Sequence, residues 1–476
     1  MNNFREYNQA QGIFRPIVPN DLLEPEHPAR IIDRVVELLD LERLYDEYKE
    51  EGNPPYHPRM MLKVLFYSYY TGIMSSRKMW EGLKNRADYI FLSGDQVPNF
   101  RTINNFRTRH MEVLPDIFTQ IVHLCVKLGL VEFEHLAIDG EKVQANASYH
   151  RSKNKKRLGA SYERVREGIK KLLEREVNED FTEEKRGERI KKLRKQEREL
   201  MGLKKAFERM NDEKATVNMT DEEALVMRHK DGRSLPSYNH QSAVDGSYGV
   251  TCAVKTEVKP DKADDLLKLV DMAKGNTGGA HENVTADSAF CDYAVLEKVE
   301  EEREENFLLP DMMFETAEKG NGAKGKYDSS HFEKREDGVI ICPEGHTMEV
   351  KTVNRYEDGH TMTIYEGTGC GSCIFHDECT KGKKRTIAID GRDGYREIMR
   401  EKLRSDKGRE VYMERQGIVE PVHGDDQKNK GWRQHHLRGL AKASLEFMLI
   451  RIGSNLGKIT RYRAQELMLI PISAPI

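Results

Sequence analysis

Three acidic residues stand next to apolar segments that lie far apart in the chain. Asp139 follows the segment HLAI, Asp287 follows NVTA, and Glu420 follows GIV. Carboxylates that are brought together repel one another and raise one another's pKa unless cations lie between them. Two Mg²⁺ or Mn²⁺ ions held by such carboxylates can bind both the attacking and the leaving oxygen of a phosphodiester. The three residues therefore predict a metal-dependent phosphoryl-transfer site with two ions.

The local sequence around each carboxylate predicts its place in the secondary structure. Short β-type runs before Asp139 and Asp287 predict that a strand ends at each of them, and Glu420 is expected near the start of a helix. Gly140 predicts a tight turn after the first carboxylate. An acidic residue at a strand end is most often a turn former or a helix cap, so no single one of the three is decisive. Asp245 is a fourth candidate, but its Asp-Gly pair is better explained by a turn.

Eight segments resemble, in this order, the DDE transposases of bacterial insertion sequences. They are PPYHPRMMLKVLFYSYYTG, SSRKMWE, PNFRTINNFR, AIDGEKVQANAS, SYNHQSAVDGSYG, TADSAF, ICPEGH and RQGIVEPVHGDDQKNKGWRQHHLRGLAKA. The similar subgroup has an N-terminal helical domain and a cysteine-bearing insertion. The family usually has a glycine and then an aromatic residue where this chain has Ala289 and Phe290, so the chain departs from the pattern at Ala289, and it departs again at His423, where an aromatic residue is common.

The resemblance implies an α/β catalytic domain with an RNase H-like fold. Its first carboxylate lies on the first strand, the second after the fourth strand, and the glutamate on a later helix, so Asp139, Asp287 and Glu420 are implied as catalytic magnesium ligands. A water would hydrolyse a phosphodiester at a transposon end, and the freed 3′-hydroxyl would attack target DNA. The implied partners are terminal repeats, target DNA and at least one further copy of the chain. A nuclease without strand transfer and a non-catalytic DNA-binding protein derived from a transposase remain alternatives.

The order of helical and strand-like patterns predicts two insertions in the catalytic domain, because a strand pattern that stops before residue 150 resumes near Tyr248. The expected segments are a helical DNA-binding domain at 1–130, the first part of the catalytic domain at 131–149, a charged helical insertion at 150–235, the second part of the catalytic domain at 236–314, a cysteine-bearing insertion at 315–390, and a C-terminal helical part with Glu420 at 391–476.

Four of the seven cysteines lie near one another in the sequence. They are Cys342, Cys370, Cys373 and Cys379. Four thiolates form a closed tetrahedral zinc site, which would stabilise a loop-rich insertion without a core of its own. His346 and His376 could each replace one cysteine as a ligand, and free thiols in a reducing compartment are the alternative. The isolated Cys125, Cys252 and Cys291 are expected in the core.

Basic residues are clustered although the net charge of the 476-residue chain is only −3. Local clusters rather than the total charge therefore predict contact with DNA. The candidate DNA-binding residues are Arg101, Arg107, Lys155, Lys156, Lys430, Arg433, Arg438 and Lys442. Residues 151–215 contain 22 basic and 14 acidic residues, a net charge of +8, which favours contact with DNA or a partner subunit. Trp432 either stacks on an unpaired base or anchors the core.

The sequence contains neither a run of about 18 apolar residues nor an apolar signal-peptide core. A cytoplasmic, nucleoid-associated protein is therefore expected.

Overall fold

A computed structural model describes most of the chain. The described residues are 18–48, 54–174, 183–208, 216–260, 263–312, 314, 327, 331–335, 338–357 and 359–472. The chain divides into two compact units, one of residues 1–128 and 448–476 and the other of residues 129–447. The predicted segment 391–476 is thus divided between the two units, and the beginning of the predicted cysteine-bearing insertion, 315–326, lies outside the described residues.

The secondary structure alternates between helices and short strands. The helices are α1 (Pro28–Leu38), α2 (Glu42–Tyr45), α3 (Pro58–Tyr70), α4 (Ser76–Asn85), α5 (Ala87–Ser93), α6 (Phe100–Arg109), α7 (Leu114–Lys127), α8 (Lys155–Glu174), α9 (Glu183–Glu208), α10 (Ala263–Thr277), α11 (Tyr293–Glu301), α12 (His376–Cys379), α13 (Asp393–Arg404), α14 (Asp406–Gly424), α15 (Leu440–Tyr462) and α16 (Ala464–Leu469). The strands are β1 (His135–Gln144), β2 (Ser152–Asn154), β3 (Thr216–Asn218), β4 (Leu225–Arg228), β5 (Ser234–Asp245), β6 (Thr251–Glu257), β7 (Asn283–Thr285), β8 (Asn306–Leu308), β9 (Glu333–Lys334), β10 (Ile340–Ile341), β11 (Thr347–Arg355), β12 (Thr361–Gly367) and β13 (Thr386–Asp390).

The first unit is helical, as the sequence predicts for its N-terminal part. Helix α3 is buried at nearly every position, which matches its apolar and aromatic residues around the whole helix. Its N-terminus is capped by His57, whose side chain accepts a hydrogen bond from the backbone N–H of Arg59. Gly453 of α15 approaches α3 so closely that a Cβ at this position would lie 2.8 Å from the carbonyl carbon of Tyr69. The two helices therefore need a glycine at their crossing.

The second unit is built on a mixed sheet of six described strands. Strand β1 pairs antiparallel with β5 on one side and parallel with β7 on the other, and β8 continues the sheet parallel to β7. Strand β5 is long enough to pair antiparallel with both β4 and β6 along its outer edge. Helix α14 packs on β1, where Val419 and Val422 meet Ala137 and Val244. A mixed α/β unit therefore accompanies the helical region.

Two expectations about this sheet are wrong. Strand β1 does not end at Asp139 but continues to Gln144, and Gly140 pairs with Gln241 inside the ladder instead of forming a turn. Strand β5 was not predicted as a strand, because its sequence SYNHQSAVD lacks alternating apolar residues. Its polar side chains are nevertheless buried, including those of Asn239 and His240.

The cysteine-bearing segment is not a loop-rich insertion without a core. Strands β9 to β13 form an antiparallel sheet in the order β13-β12-β11-β10-β9. Ile340, Met348 and Ile387 are buried in a small cluster on this sheet, with Tyr365 packed against it. The prediction failed because the buried core residues are spread over several strands, with one each on β10, β11 and β13.

None of the described helices is both long enough and apolar enough to cross a membrane.

Candidate active site and nucleic-acid interface

Asp139 lies in strand β1, and Asp287 lies two residues beyond the end of the neighbouring strand β7. The parallel register pairs Ala137 of β1 with Thr285 of β7, so each aspartate follows its paired residue by two positions. Both side chains are half-buried. Asp287 caps the short 3₁₀-helix that starts at Ser288, and its Oδ1 accepts a hydrogen bond of 3.0 Å from the N–H of Ala289. The pairing of β1 with β7 thus joins the two chain segments that lead to these carboxylates.

Glu420 occupies a different position from the one that the sequence predicts. It lies near the C-terminal end of α14 rather than at the start of a helix, and its side chain is exposed. An open groove of about 450 Å³ beside it is lined by residues of α14 and of the following π-helical turn Asp425–Asn429, among them Lys428. Neither Asp139 nor Asp287 lines this groove.

Two basic side chains of α14 lie against Asp139. Arg415 Nη1 is 3.7 Å from Asp139 Oδ1, and His423 Nε2 is 3.7 Å from Asp139 Oδ2. These residues are eight apart, so they lie near one face of the helix, and that face is turned toward β1. Glu420 is three residues before His423, about 60° around the helix from it. Glu420 therefore lies beside His423 on α14 but points toward solvent.

Glu141 is a fourth carboxylate of the site, and sequence reasoning missed it. It is two residues after Asp139, so both side chains point to the same face of β1. Glu141 is buried, its Oε1 lies 3.1 Å from His423 Nδ1, and its Oε2 accepts a hydrogen bond of 3.3 Å from Gln427 Nε2. The period-2 spacing from Asp139 was the available signal, but it becomes meaningful only if the strand continues past Gly140.

The carboxylates of this site have the right chemistry for a hard divalent cation, but they do not form a complete ligand set. Oxygen ligands are what Mg²⁺ and Mn²⁺ prefer, and Asp139, Glu141 and Asp287 supply them from adjacent strand positions. Within the described ranges, however, no three Asp, Glu, His or Cys side chains are grouped closely enough to hold a metal ion. The positive charges of Arg415, and of His423 when it is protonated, lie where they can offset the charge of Asp139.

The four predicted zinc ligands line one small cavity of about 20 Å³. Its lining includes Cys342, Cys370, Cys373 and Cys379, together with His346 and His376. Burial raises the pKa of Cys379, and the nearby thiolates of the other three raise it further, whereas Arg385 lowers it.

Local backbone geometry brings these thiols together. The N–H of Arg385 points at Cys370 Sγ at 3.4 Å, a contact that stabilises a thiolate. A Cβ at Gly367 would lie 2.6 Å from the same sulfur, and a Cβ at Gly369 would lie 2.5 Å from His346 Nδ1. Glycines are therefore required for the side chains to converge. Four sulfur donors around a cavity of this size fit the chemistry of zinc. As with the carboxylates, however, no three of these side chains in the described part of the chain are close enough together to hold a metal ion.

A buried polar network holds the loop that follows α14. Glu446 is fully buried and accepts hydrogen bonds from Nδ1 of His435 at 3.1 Å and Nδ1 of His436 at 2.9 Å. The backbone N–H groups of His436 and Leu437 also donate to it. Burial would raise the pKa of Glu446, but the bonds from the two histidines outweigh that effect and hold the pKa well below its usual range. His240 extends the network, with its Nε2 2.8 Å from His435 Nε2.

The predicted DNA-binding residues divide into exposed and internal ones. The exposed side chains are Arg101, Lys156, Arg433, Arg438 and Lys442, and Lys155 is half-buried.

Arg107 is internal, because it is buried and donates to the hydroxyl of Tyr69 and the carbonyl of Met74. The Lys430 ammonium is nearly buried and pairs with Asp425 and Asp426.

Trp432 is fully buried against Phe447 and His240, so the alternative that it stacks on an unpaired base is wrong and the core-anchor alternative is confirmed. Arg438, although exposed, already donates from Nε to the carbonyl of Asn146. Among the isolated cysteines, Cys125 and Cys252 are buried as expected, whereas Cys291 is only partly buried.

Family models match the chain at both ends. A model described as a transposase DDE domain matches residues 341–460, and a model described as a transposase domain (DUF772) matches residues 18–109. Both matched families are transposase families, so the expected resemblance to insertion-sequence DDE transposases is confirmed. No curated protein and no solved structure matches the chain.

Proposed function

We propose that this chain cleaves DNA at the ends of its own element and transfers the freed 3′-hydroxyl into target DNA. The observation that carries the proposal is the parallel register of β1 and β7, which supports Asp139 and Asp287 as a carboxylate pair at one level of the sheet. The transposase DDE match supports the same chemistry.

We propose in addition that the mixed sheet is RNase H-like. The strands β6, β5, β1, β7 and β8 lie side by side in that order, with β5 antiparallel and β7 parallel to β1. Among the strands of this sheet, counted along the chain without β4, β1 is the first and β7 the fourth. Asp139 on the first strand and Asp287 after the fourth are the positions expected for that fold. The predicted division into a helical DNA-binding domain, a catalytic domain and two insertions belongs to this proposal.

In the proposed reaction, the carboxylates of Asp139, Asp287 and Glu420 would hold the divalent cations. Such ions, when bound, would supply the activation of a water and the stabilisation of the phosphodiester oxygens. Glu141 fixes the imidazole of His423, which in turn borders Asp139. Arg415 offsets the charge of Asp139 in the absence of substrate. Glu420 is in solvent at the rim of an open groove, from where it can meet a DNA strand together with Lys428.

DNA contacts of the proposed enzyme are assigned to the exposed basic residues only. These are Arg101, Lys156, Arg433, Arg438 and Lys442, whose side chains can reach phosphates. Because Arg107 and Lys430 are bonded internally, they are assigned to the stability of the protein instead. Synapsis of two element ends calls for at least a dimer on DNA, and a single subunit on two end fragments in a mass measurement would contradict this.

A specific observation favours a second candidate, a transposase-derived protein that binds DNA without cutting it. Glu420 is exposed, and in the described part of the chain no three candidate ligands are grouped as a cation site. Such a protein would retain the DNA contacts but show no metal-dependent chemistry.

Cleavage and joining of labelled DNA that carries the element's ends distinguish the candidates. We expect the wild type to cut and join with magnesium or manganese, and Asp139→Asn, Asp287→Asn and Glu420→Gln to bind DNA but do neither. Asp264→Asn is the matched control, because it removes an exposed carboxylate at the start of α10.

An inactive wild type that still binds the ends would support the non-catalytic candidate. Cutting without joining would support a nuclease. Full activity in one of the three variants would remove that residue from the site.

A further inference from the structure

The charged insertion contains two helices, α8 and α9, that form a helical arm. Leu158, Tyr162 and Val165 of α8 belong to one apolar cluster with Leu203 of α9. The half-buried Ile169 and Leu172 continue the alternating spacing of four and three residues that is typical of a coiled coil. Leu203 of α9 packs on Leu158 at the base of the arm. Further along, Gly168 faces Gln196 so closely that a Cβ would lie 2.9 Å from its Nε2. The two helices are thus packed on each other.

The outward side of α9 carries an uninterrupted basic stripe. Lys191, Arg194, Lys195 and Arg198 are all exposed and follow one another at i, i+3, i+4 and i+7, so they share one face of the helix. The residues that face α8 lie on the opposite side. Glu197 and Glu199 flank the stripe, but no acidic residue falls within it. Over the described part of the arm, none of the four basic side chains forms an ion pair.

We propose that this stripe is a docking surface for the phosphate backbone of duplex DNA. The inference rests on the proposed transposase function for the nature of the substrate, and on charge complementarity for the surface itself. The chain as a whole has a net charge of −3, whereas residues 151–215 have +8, so the positive charge is concentrated on the arm. The stripe spans about 10 Å of helix, and duplex DNA offers about one phosphate charge per 1.7 Å of its axis. Several phosphates therefore lie within reach of four cations.

The stripe contacts DNA without reading its sequence. Lysine and arginine side chains along one helix face can contact successive phosphates of the DNA backbone. Such phosphate contacts carry no information about the base sequence. The arm therefore strengthens binding to DNA of any sequence, including the DNA outside the element's ends, and leaves the preference for those ends to other residues.

The test is the salt dependence of binding to a duplex of unrelated sequence, measured in EDTA so that cleavage plays no part. The variant combines Lys191→Gln, Arg194→Gln and Arg198→Gln. The matched control combines Lys268→Gln, Lys274→Gln and Lys298→Gln, which removes the same charge from exposed positions of α10 and α11. All replaced side chains are exposed, and equal melting temperatures check that folding is intact.

We expect the stripe variant to reduce the slope of log K against log salt by about 2 to 3, since each lost phosphate contact contributes about 0.9. The control should keep the wild-type slope. A further variant with Lys191→Arg and Lys195→Arg should bind as the wild type does, because it keeps the charge.

Three results would overturn the proposal: an unchanged slope in the stripe variant, an equal loss in the control, or a shift from dimer to monomer in the stripe variant without DNA. The last would assign the stripe to a second copy of the chain. Because the assay needs no catalysis, a catalytically inactive protein would give the same result for the arm, so the two proposals fail separately.

Discussion

Replacing Glu446 by glutamine should destabilise the protein far more than an ordinary loss of one surface charge. The carboxylate is fully buried and accepts four donors, two from imidazole rings and two from the backbone. In glutamine one of the two oxygens becomes an NH₂ group that cannot accept. If the amide replaces Oε2, the donors of His435 and Leu437 lose their acceptor, and if it replaces Oε1, the imidazole of His436 does, at about 1–3 kcal/mol for each donor. Removing one partner of a buried ion pair costs about 3–5 kcal/mol, so we expect a loss in this range.

The assay is urea unfolding followed by circular dichroism, with Glu410→Gln as the control. Glu410 is an exposed residue of α14, and its replacement removes the same charge without a buried partner. The variants should differ in the midpoint of unfolding rather than in the slope. A loss of less than about 1 kcal/mol in Glu446→Gln, the range of a surface pair, would refute the reasoning.

The dependence on pH gives an independent check of the same network. The pKa of Glu446 is lower in the folded protein than in the unfolded chain, because hydrogen bonds from His435 and His436 outweigh its burial. The stability that it contributes is therefore fully present above the unfolded value of about 4.3 and is lost as the pH falls toward the folded value. Wild type should lose more stability than Glu446→Gln between about pH 5 and about pH 2, values chosen to bracket this window. Equal acid sensitivity would contradict the assignment.

Three further predictions concern the crossing of helices, the cysteine cavity and the active site. Gly453→Ala should destabilise the first unit by about 1–3 kcal/mol, because its Cβ meets the backbone of α3. Gly275→Ala, in open space on α10, should instead stabilise the protein by about 0.4–1 kcal/mol. Thermal melting of both variants measures these changes in stability, and equal effects would contradict the close approach of α15 to α3. Gently purified protein should contain about one zinc per chain by elemental analysis, and Cys342→Ser should lower that content and the melting temperature together. Absence of zinc from the wild type would defeat the assignment. Glu141→Gln should reduce the rate of cleavage about 10- to 100-fold while DNA affinity stays the same, because His423 loses its buried partner beside Asp139; an unchanged rate would make Glu141 purely structural.

The elements that the sequence predicts well are those with a strong local signal. Strand β7, for example, appears in the short β-type run before Asp287 that predicts a strand there. Strand β5 was missed because its buried residues are polar, and their burial depends on partners far away in the chain. Gln241, for example, donates to Asp265 of α10.

The sequence also failed to predict which single side chains are buried. Arg107 has the composition of a DNA contact, yet its guanidinium is held by Tyr69 and by the carbonyl of Met74. Trp432 could have served a base or the core, and only packing against Phe447 decided between them. A sequence gives the residue type, whereas the direction of a side chain depends on the surface that covers it.

The sequence by itself determined the resemblance to transposases, the two aspartates that follow strand-like runs and the grouping of four cysteines, because these depend on residue types in a fixed order. Only the tertiary structure decided that the strands before Asp139 and Asp287 pair in parallel, that Glu141 is linked to Asp139 through His423, and that Glu420 remains in solvent. The physical reason is that register and helix rotation follow from long-range packing. A shift of one residue in a strand would turn its carboxylates to the opposite face of the sheet.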